Sequence, residues 1–127
     1  MIQLNDLQKV DVVAGTRHVN IVPDIPFSDI SIYFLDELSN VLRKSAESKI
    51  YADLMAFSFW CRKGNINNLK REYRNINQRF GRGLAFHITP SNVPLNFGYS
   101  FNFGLLSGNS NIVKIPSKEF SQAEFLC

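Results

Sequence analysis

The apolar positions change their period along the chain, and each change marks a different kind of element. Val10, Val12, Val13, Val19, Ile21 and Val22 gather around Gly15 and are followed by Pro23 and Pro26. This pattern predicts a short β-hairpin or an extended arm over residues 1–26. Ser28 or Asp29 can cap a helix in which Ile30, Phe34, Leu38, Val41 and Leu42 keep the three-and-four spacing of one buried face, to about residue 46. A second helix carries Ile50, Leu54, Phe57 and Cys61 on one stripe, with Tyr51, Met55 and Phe59 widening it. Gly64 and Asn65 are expected to end it. A third places Ile66, Leu69, Tyr73, Ile76 and Phe80 at steps of three, four, three and four, and Gly81 is expected to stop it.

Beyond Gly83 the helical period gives way to short apolar runs. Leu84, Ala85, Phe86, His87 and Ile88, closed by Thr89 and Pro90, read as a buried strand. Residues 93–106 read as a helix ended by Gly108 and Asn109, and residues 111–115 as a second strand that halts at Pro116. Phe97, Tyr99, Phe101 and Phe103 alternate instead of keeping one helical face, so this helix is expected to be buried nearly all round. Strand, helix and strand form the crossover unit of a parallel α/β sheet, in which ligands sit beyond the carboxyl ends of the strands. The expected organisation is an arm over 1–26, a helical segment over 27–81, and an α/β unit over 82–127 with its seam at residues 81–83.

Composition narrows the class without changing this outline. The 127 residues are 45% hydrophobic and 20% charged, a globular balance that excludes disorder throughout. No charged leader with an apolar core follows Met1, and no apolar run reaches the roughly 18 to 20 residues of a membrane span. A soluble cytoplasmic protein is expected. Cys61 and Cys127 make neither a metal-ligand spacing nor a disulfide framework, and Cys61 reads as a small buried apolar residue. Arg62, Lys63, Lys70, Arg71, Arg74, Arg79 and Arg82 face only Glu72 between positions 62 and 82. Such a cluster can attract phosphate, but no base-reading motif accompanies it, so a solvated face is the better reading than a nucleic-acid surface.

Two polar residues fall where such a fold holds ligands. Asn92, in Thr89-Pro90-Ser91-Asn92-Val93-Pro94, follows a strand and precedes a helix. Its amide can donate to an oxygen that gains negative charge, or it can cap the helix with Pro94 in the first turn. Lys114 ends the second strand, where it either reaches a bound nucleotide or is a solvated lysine. His87 reads as a satisfied core histidine before a ligand, and His18 lies in the arm. Gly81-Arg82-Gly83 lacks the full glycine fingerprint of a dinucleotide site. Local spacing assembles no carboxylate pair, no nucleophile with a base and no metal site.

The order of three elements resembles a known family. They are Gly83-Leu84-Ala85-Phe86-His87-Ile88-Thr89-Pro90-Ser91-Asn92-Val93-Pro94, then Leu105-Leu106-Ser107-Gly108-Asn109, then Ile112-Val113-Lys114-Ile115-Pro116-Ser117-Lys118. Together they resemble the acyl-CoA reductases of bacterial luminescence, a branch of the aldehyde dehydrogenase superfamily. The resemblance implies the first β-α-β unit of an aldehyde-dehydrogenase-like cofactor-binding domain, incomplete, preceded by the arm and helices. It implies reduction of a long-chain acyl-CoA, or an acyl-protein thioester, to a fatty aldehyde with NADPH or NADH. The nucleophilic cysteine of that reaction would lie downstream of this chain. By the same resemblance Asn92 is the oxyanion donor, Thr89, Pro90 and Ser91 line the nicotinamide side, and Lys114 and Ser117 contact the cofactor. Ser91 stands where the superfamily has tryptophan, and Ile115 is an extra residue before Pro116. The implied partners are an acyl-transferring synthetase and further copies of the full-length enzyme. The implied fragment is inactive alone and exposes apolar sheet faces. A short-chain aldehyde dehydrogenase fragment and a nonenzymatic basic helical module are the alternatives.

Overall fold

In the computed structural model, residues 2–3, 11–73 and 75–127 are described; Val10 of the arm and Arg74 of the basic segment lie outside them. The arm contributes a two-residue antiparallel ladder, β1 (Ile2–Gln3) on β2 (His18–Val19), with Ile2 opposite Val19 and Gln3 opposite His18. Residues 20–25 form no regular element, Pro26 and Phe27 make a turn, and Ser28 follows, whose Oγ accepts from the Ser31 N–H at 3.4 Å and starts α1 (Asp29–Lys44). Asp29 in the first turn and Arg43 and Lys44 in the last complement the helix dipole.

The buried face of α1 is rotated by about one residue from the expected stripe. Ile32, Leu35 and Leu42 are buried together with Ser31 and Ser39, while Ile30, Phe34 and Val41 are exposed, Ile30 by 73%. The apolar residues nearly encircle this helix, so period alone did not choose between two stripes. Small serines let neighbouring helices approach closely, and a helical serine can satisfy its hydroxyl locally, as Ser31 does on Ser28 at 3.0 Å.

The expected second helix is two, α2 (Ala46–Ile50) and α3 (Ala52–Trp60), separated at Tyr51. Leu54, Phe57 and Cys61 are buried as expected, whereas Ile50 is exposed. Gly64 and Asn65 do not end it; they lie in the first turn of α4 (Lys63–Glu72). Two side chains fix this corner. Asn65 Nδ2 donates to the Trp60 carbonyl at 2.8 Å, and Asp36 of α1 accepts the Lys63 N–H at 2.8 Å, so one backbone group freed at each helix end is satisfied. The expected third helix also ends early, at Tyr73, because Asn75 adopts the left-handed conformation (φ 59°) that Asn tolerates. Ile76 lies in a 3-10 turn (Ile76–Gln78), and Phe80 is exposed beyond it.

The strand, helix and strand then appear in the expected order: β3 (Leu84–Ile88), α5 (Asn96–Leu106) and β4 (Ser110–Lys114). β3 and β4 are parallel, with Leu84 opposite Ser110 and Ile88 opposite Lys114. Crossing back in a parallel sheet requires α5 to lie over it. A short α6 (Ser121–Leu126) closes the chain. The fold is thus mixed α/β. Two burial expectations need correction. β3 is covered on one face alone, leaving Phe86 62% and Ile88 71% exposed, and α5 leaves Phe103 exposed.

One core joins the helices to the crossover unit. Leu35 and Leu42 of α1, Leu54 and Phe57 of α3, and Ile66 of α4 meet Leu95 and Leu106 at the two ends of α5. Each such side chain contributes about 1.5–3 kcal/mol relative to exposure. Backbone bonds add to this, Phe27 N–H to the Leu106 carbonyl at 2.8 Å and Asp24 N–H to the Gly108 carbonyl at 2.9 Å. Gly108 turns left-handed (φ 79°), and a Cβ there would overlap the Asp24 carbonyl, so glycine is required.

Candidate functional site

Because β3 and β4 are parallel and Ile88 pairs with Lys114, their carboxyl ends lie side by side at one sheet edge. Thr89 leaves that edge half-buried, with its Oγ1 buried and without a hydrogen-bond partner among the described residues. Pro90, Ser91 and Asn92 follow in an exposed turn. α5 starts only at Asn96, after Leu95, and no side chain caps it. Asn92 is therefore not the helix cap, which removes the simpler reading of its amide. Across the edge, Lys114 is exposed at the last position of β4, and Ser117 is exposed beyond half-buried Ile115 and Pro116.

A polar chain beneath α5 holds this edge in place. His87 Nδ1 lies 2.8 Å from Ser100 Oγ of α5, and its Nε2 lies 2.8 Å from Asn111 Oδ1 of β4. Asn111 Nδ2 donates to the Asn109 carbonyl at 2.8 Å, which points its Oδ1 at the imidazole. An amide oxygen can only accept, so Nε2 donates to Asn111, and Nδ1 pairs with the Ser100 hydroxyl. Asn109 Oδ1 accepts the Arg82 N–H at 2.6 Å, extending the chain to the entry of β3. His87 is a satisfied histidine, as expected. Its partners were not legible, because Ser100 and Asn111 stand 13 and 24 residues away. Gly104 is the sequence signal that went unread: a Cβ there would overlap Asn111 Oδ1 and come within 2.8 Å of His87 Nε2.

Residues 62–127, just over half of the chain, match the acyl-CoA reductase (LuxC) family. The chain belongs to that family. No curated protein and no solved structure matches it. The LuxC match takes in α4, the whole β3–α5–β4 unit and each of Thr89, Pro90, Ser91, Asn92, Lys114 and Ser117.

The two thiols stand apart from that edge. Cys61 is fully buried, and desolvation pushes its pKa up to about 12 even though Asn102 Nδ2 lies 3.3 Å from Sγ. Partial desolvation also raises the pKa of exposed Cys127. A nucleophilic cysteine needs its thiolate stabilised, and both environments do the reverse. Among the described residues, no helix is long and apolar enough to cross a membrane.

Proposed function

We propose that this chain is the N-terminal part of a long-chain acyl-CoA reductase, forming the oxyanion and cofactor side of its site. The observation that carries the reading is the parallel pairing of Ile88 with Lys114 within the family match, which brings Lys114, the last residue of β4, beside the end of β3 that leads into the Asn92 turn. In doubly wound sheets that is where nucleotides bind. The unit is read as the first crossover of an aldehyde-dehydrogenase-like domain.

The overall change is acyl-CoA plus NADPH and a proton to fatty aldehyde, free CoA and NADP. A cysteine C-terminal to this chain takes the acyl group as a thioester, because neither Cys61 nor Cys127 has an environment that favours a thiolate. The Asn92 amide donates to the carbonyl oxygen as it becomes tetrahedral and negative, without changing its own protonation. Thr89, Pro90 and Ser91 line the nicotinamide side. Lys114 and Ser117 hold the ribose and phosphate end, the ammonium supplying a point charge and several donors. Exposed Lys114 and Ser117 suit a ligand rich in hydroxyls and phosphates. The nicotinamide, when bound, supplies the hydride that converts the thioester carbon to the aldehyde.

Two measurements test this. The 127-residue chain with long-chain acyl-CoA and NADPH forms no aldehyde above a protein-free control; turnover by the chain would overturn the assignment of the nucleophile. In a protein that joins this chain to the cysteine region, Asn92→Ala lowers kcat by about 10²–10³-fold. An unchanged kcat would remove Asn92 from the oxyanion site.

A further inference from the structure

The basic segment that sequence alone assigns to a solvated face folds into a concave wall at the amino end of the parallel strands. It runs from the last turn of α4 through the 3-10 turn to the residues that enter β3. Two cavities open along it, of about 720 and 400 Å³, and they share Tyr73 and Ile76. Lys70 and Arg71 line the first, and Arg79 and Arg82 line the second. Among the described residues no aspartate or glutamate lines either, and Glu72 lies outside both.

Two further kinds of side chain share these surfaces. Asn67, Asn75, Asn77 and Gln78 line the first cavity, and each carboxamide both donates and accepts hydrogen bonds. Tyr73, Phe80 and Phe103 line the second, and each is more than half exposed. Tyr73 is braced by Phe27, with ring centroids 5.5 Å apart, and Phe103 by Trp60 at 5.3 Å. A ligand that stacks on these two rings therefore meets side chains already held in place. The cations are not equivalent. Lys70 Nζ donates to the Phe27 carbonyl at 3.1 Å, Arg71 donates to Asn68 Oδ1 at 2.9 Å, and both stand at the negative end of α4. Part of their charge is offset there, so Arg79 and Arg82, exposed beyond the helix, carry the larger share of the attraction for an anion.

We propose that this wall binds a single-stranded nucleic acid, with phosphates on the four cations, bases stacked on the exposed rings and base edges against the carboxamides. Cations alone would take any polyanion, and carboxamides alone a neutral sugar. Cations, rings and carboxamides together match the backbone, the faces and the edges of unpaired bases. A duplex hides the faces of its bases, so it gains from such a wall the charge attraction alone. The inference is independent of the reductase reading. This end of the sheet lies about 17 Å from Thr89 and Lys114 along the five residues of β3, and binding here needs no turnover.

Fluorescein-labelled ten-nucleotide single strands of mixed sequence, one RNA and one DNA, are titrated with the 127-residue chain and followed by anisotropy, beside the matching duplex. A single strand binds saturably and at least tenfold more tightly than the duplex. Preference for RNA assigns a contact to the 2′-hydroxyl, and equal binding of the two strands assigns contacts to bases and phosphates. The logarithm of affinity falls against the logarithm of salt concentration with a slope of about −2 to −3, at roughly 0.7 for each phosphate neutralised. Arg79→Ala reduces that slope by about 0.7. Phe80→Ala weakens binding about tenfold and leaves the slope as it was. Both positions are exposed, and both variants keep the melting temperature of the parent. Lys114→Ala binds the strand as the parent does. No saturable binding, equal binding of the duplex, competition by inorganic polyphosphate as effective as by unlabelled strand, unchanged binding in either wall variant, or a loss in Lys114→Ala would each overturn the proposal.

Discussion

The Cys61 thiol is sealed in the core beside Asn102, and its pKa of about 12 compares with an ordinary value of 9.0. Between these values the unfolded chain releases the proton that the folded chain keeps. Stability associated with Cys61 is therefore fully present below about pH 9 and falls as pH rises, by about 1.4 kcal/mol per unit within the window. Urea unfolding at pH 8 and pH 10 should show that loss in the parent chain and a shallower one in Cys61→Ala; equal slopes would mean that the thiol is not buried. Gly104 poses the opposite question, since alanine favours a helix over glycine by about 1 kcal/mol. Here the added methyl meets Asn111 and His87, and overpacking with loss of their hydrogen bond costs more, about 1–3 kcal/mol for each effect. Gly104→Ala should lower the unfolding free energy, and a stabilised variant would contradict the polar chain beneath α5. His87 could be read in the sequence as a satisfied side chain, but which residues satisfy it depended on the strand pairing and the crossing of α5.

At the level of elements, the crossover unit was legible because its signals agree: apolar runs of strand length, a Gly108-Asn109 stop and Pro116 after the second strand. The helical segment was less so. On α1 the serines that read as polar lie inside, and apolar Ile30, Phe34 and Val41 lie outside. The end of α4 was set by the conformation of Asn75, which a continuing apolar period at Ile76 and Phe80 concealed. Asn92 was legible as a polar residue in the turn after the first strand, while its freedom from capping followed only from the late start of α5. The uncovered face of β3 has a consequence of its own. Phe86 and Ile88 side by side on an exposed strand favour association. Phe86→Lys should change stability by less than about 0.5 kcal/mol and shift the chain toward a monodisperse monomer in sedimentation. A loss of several kcal/mol would show that this face is covered in the folded chain.

For the whole molecule, the two ends of the parallel pair have different chemistry. The amino end opens on a basic and apolar cleft, and the carboxyl end presents Thr89, Asn92, Lys114 and Ser117. Family membership is shown over 62–127, and residues 1–61 add to it a core that braces α5 through Leu35, Leu54 and Phe57. In the proposed function the carboxyl end takes the nucleotide. Titration of NADPH into the 127-residue chain, followed by the fluorescence of the nicotinamide, addresses it directly. The expected result is saturable binding that Lys114→Ala weakens about tenfold, roughly 1.4 kcal/mol, with the fold unchanged by circular dichroism. No binding by the folded chain, or equal binding by the variant, would contradict it.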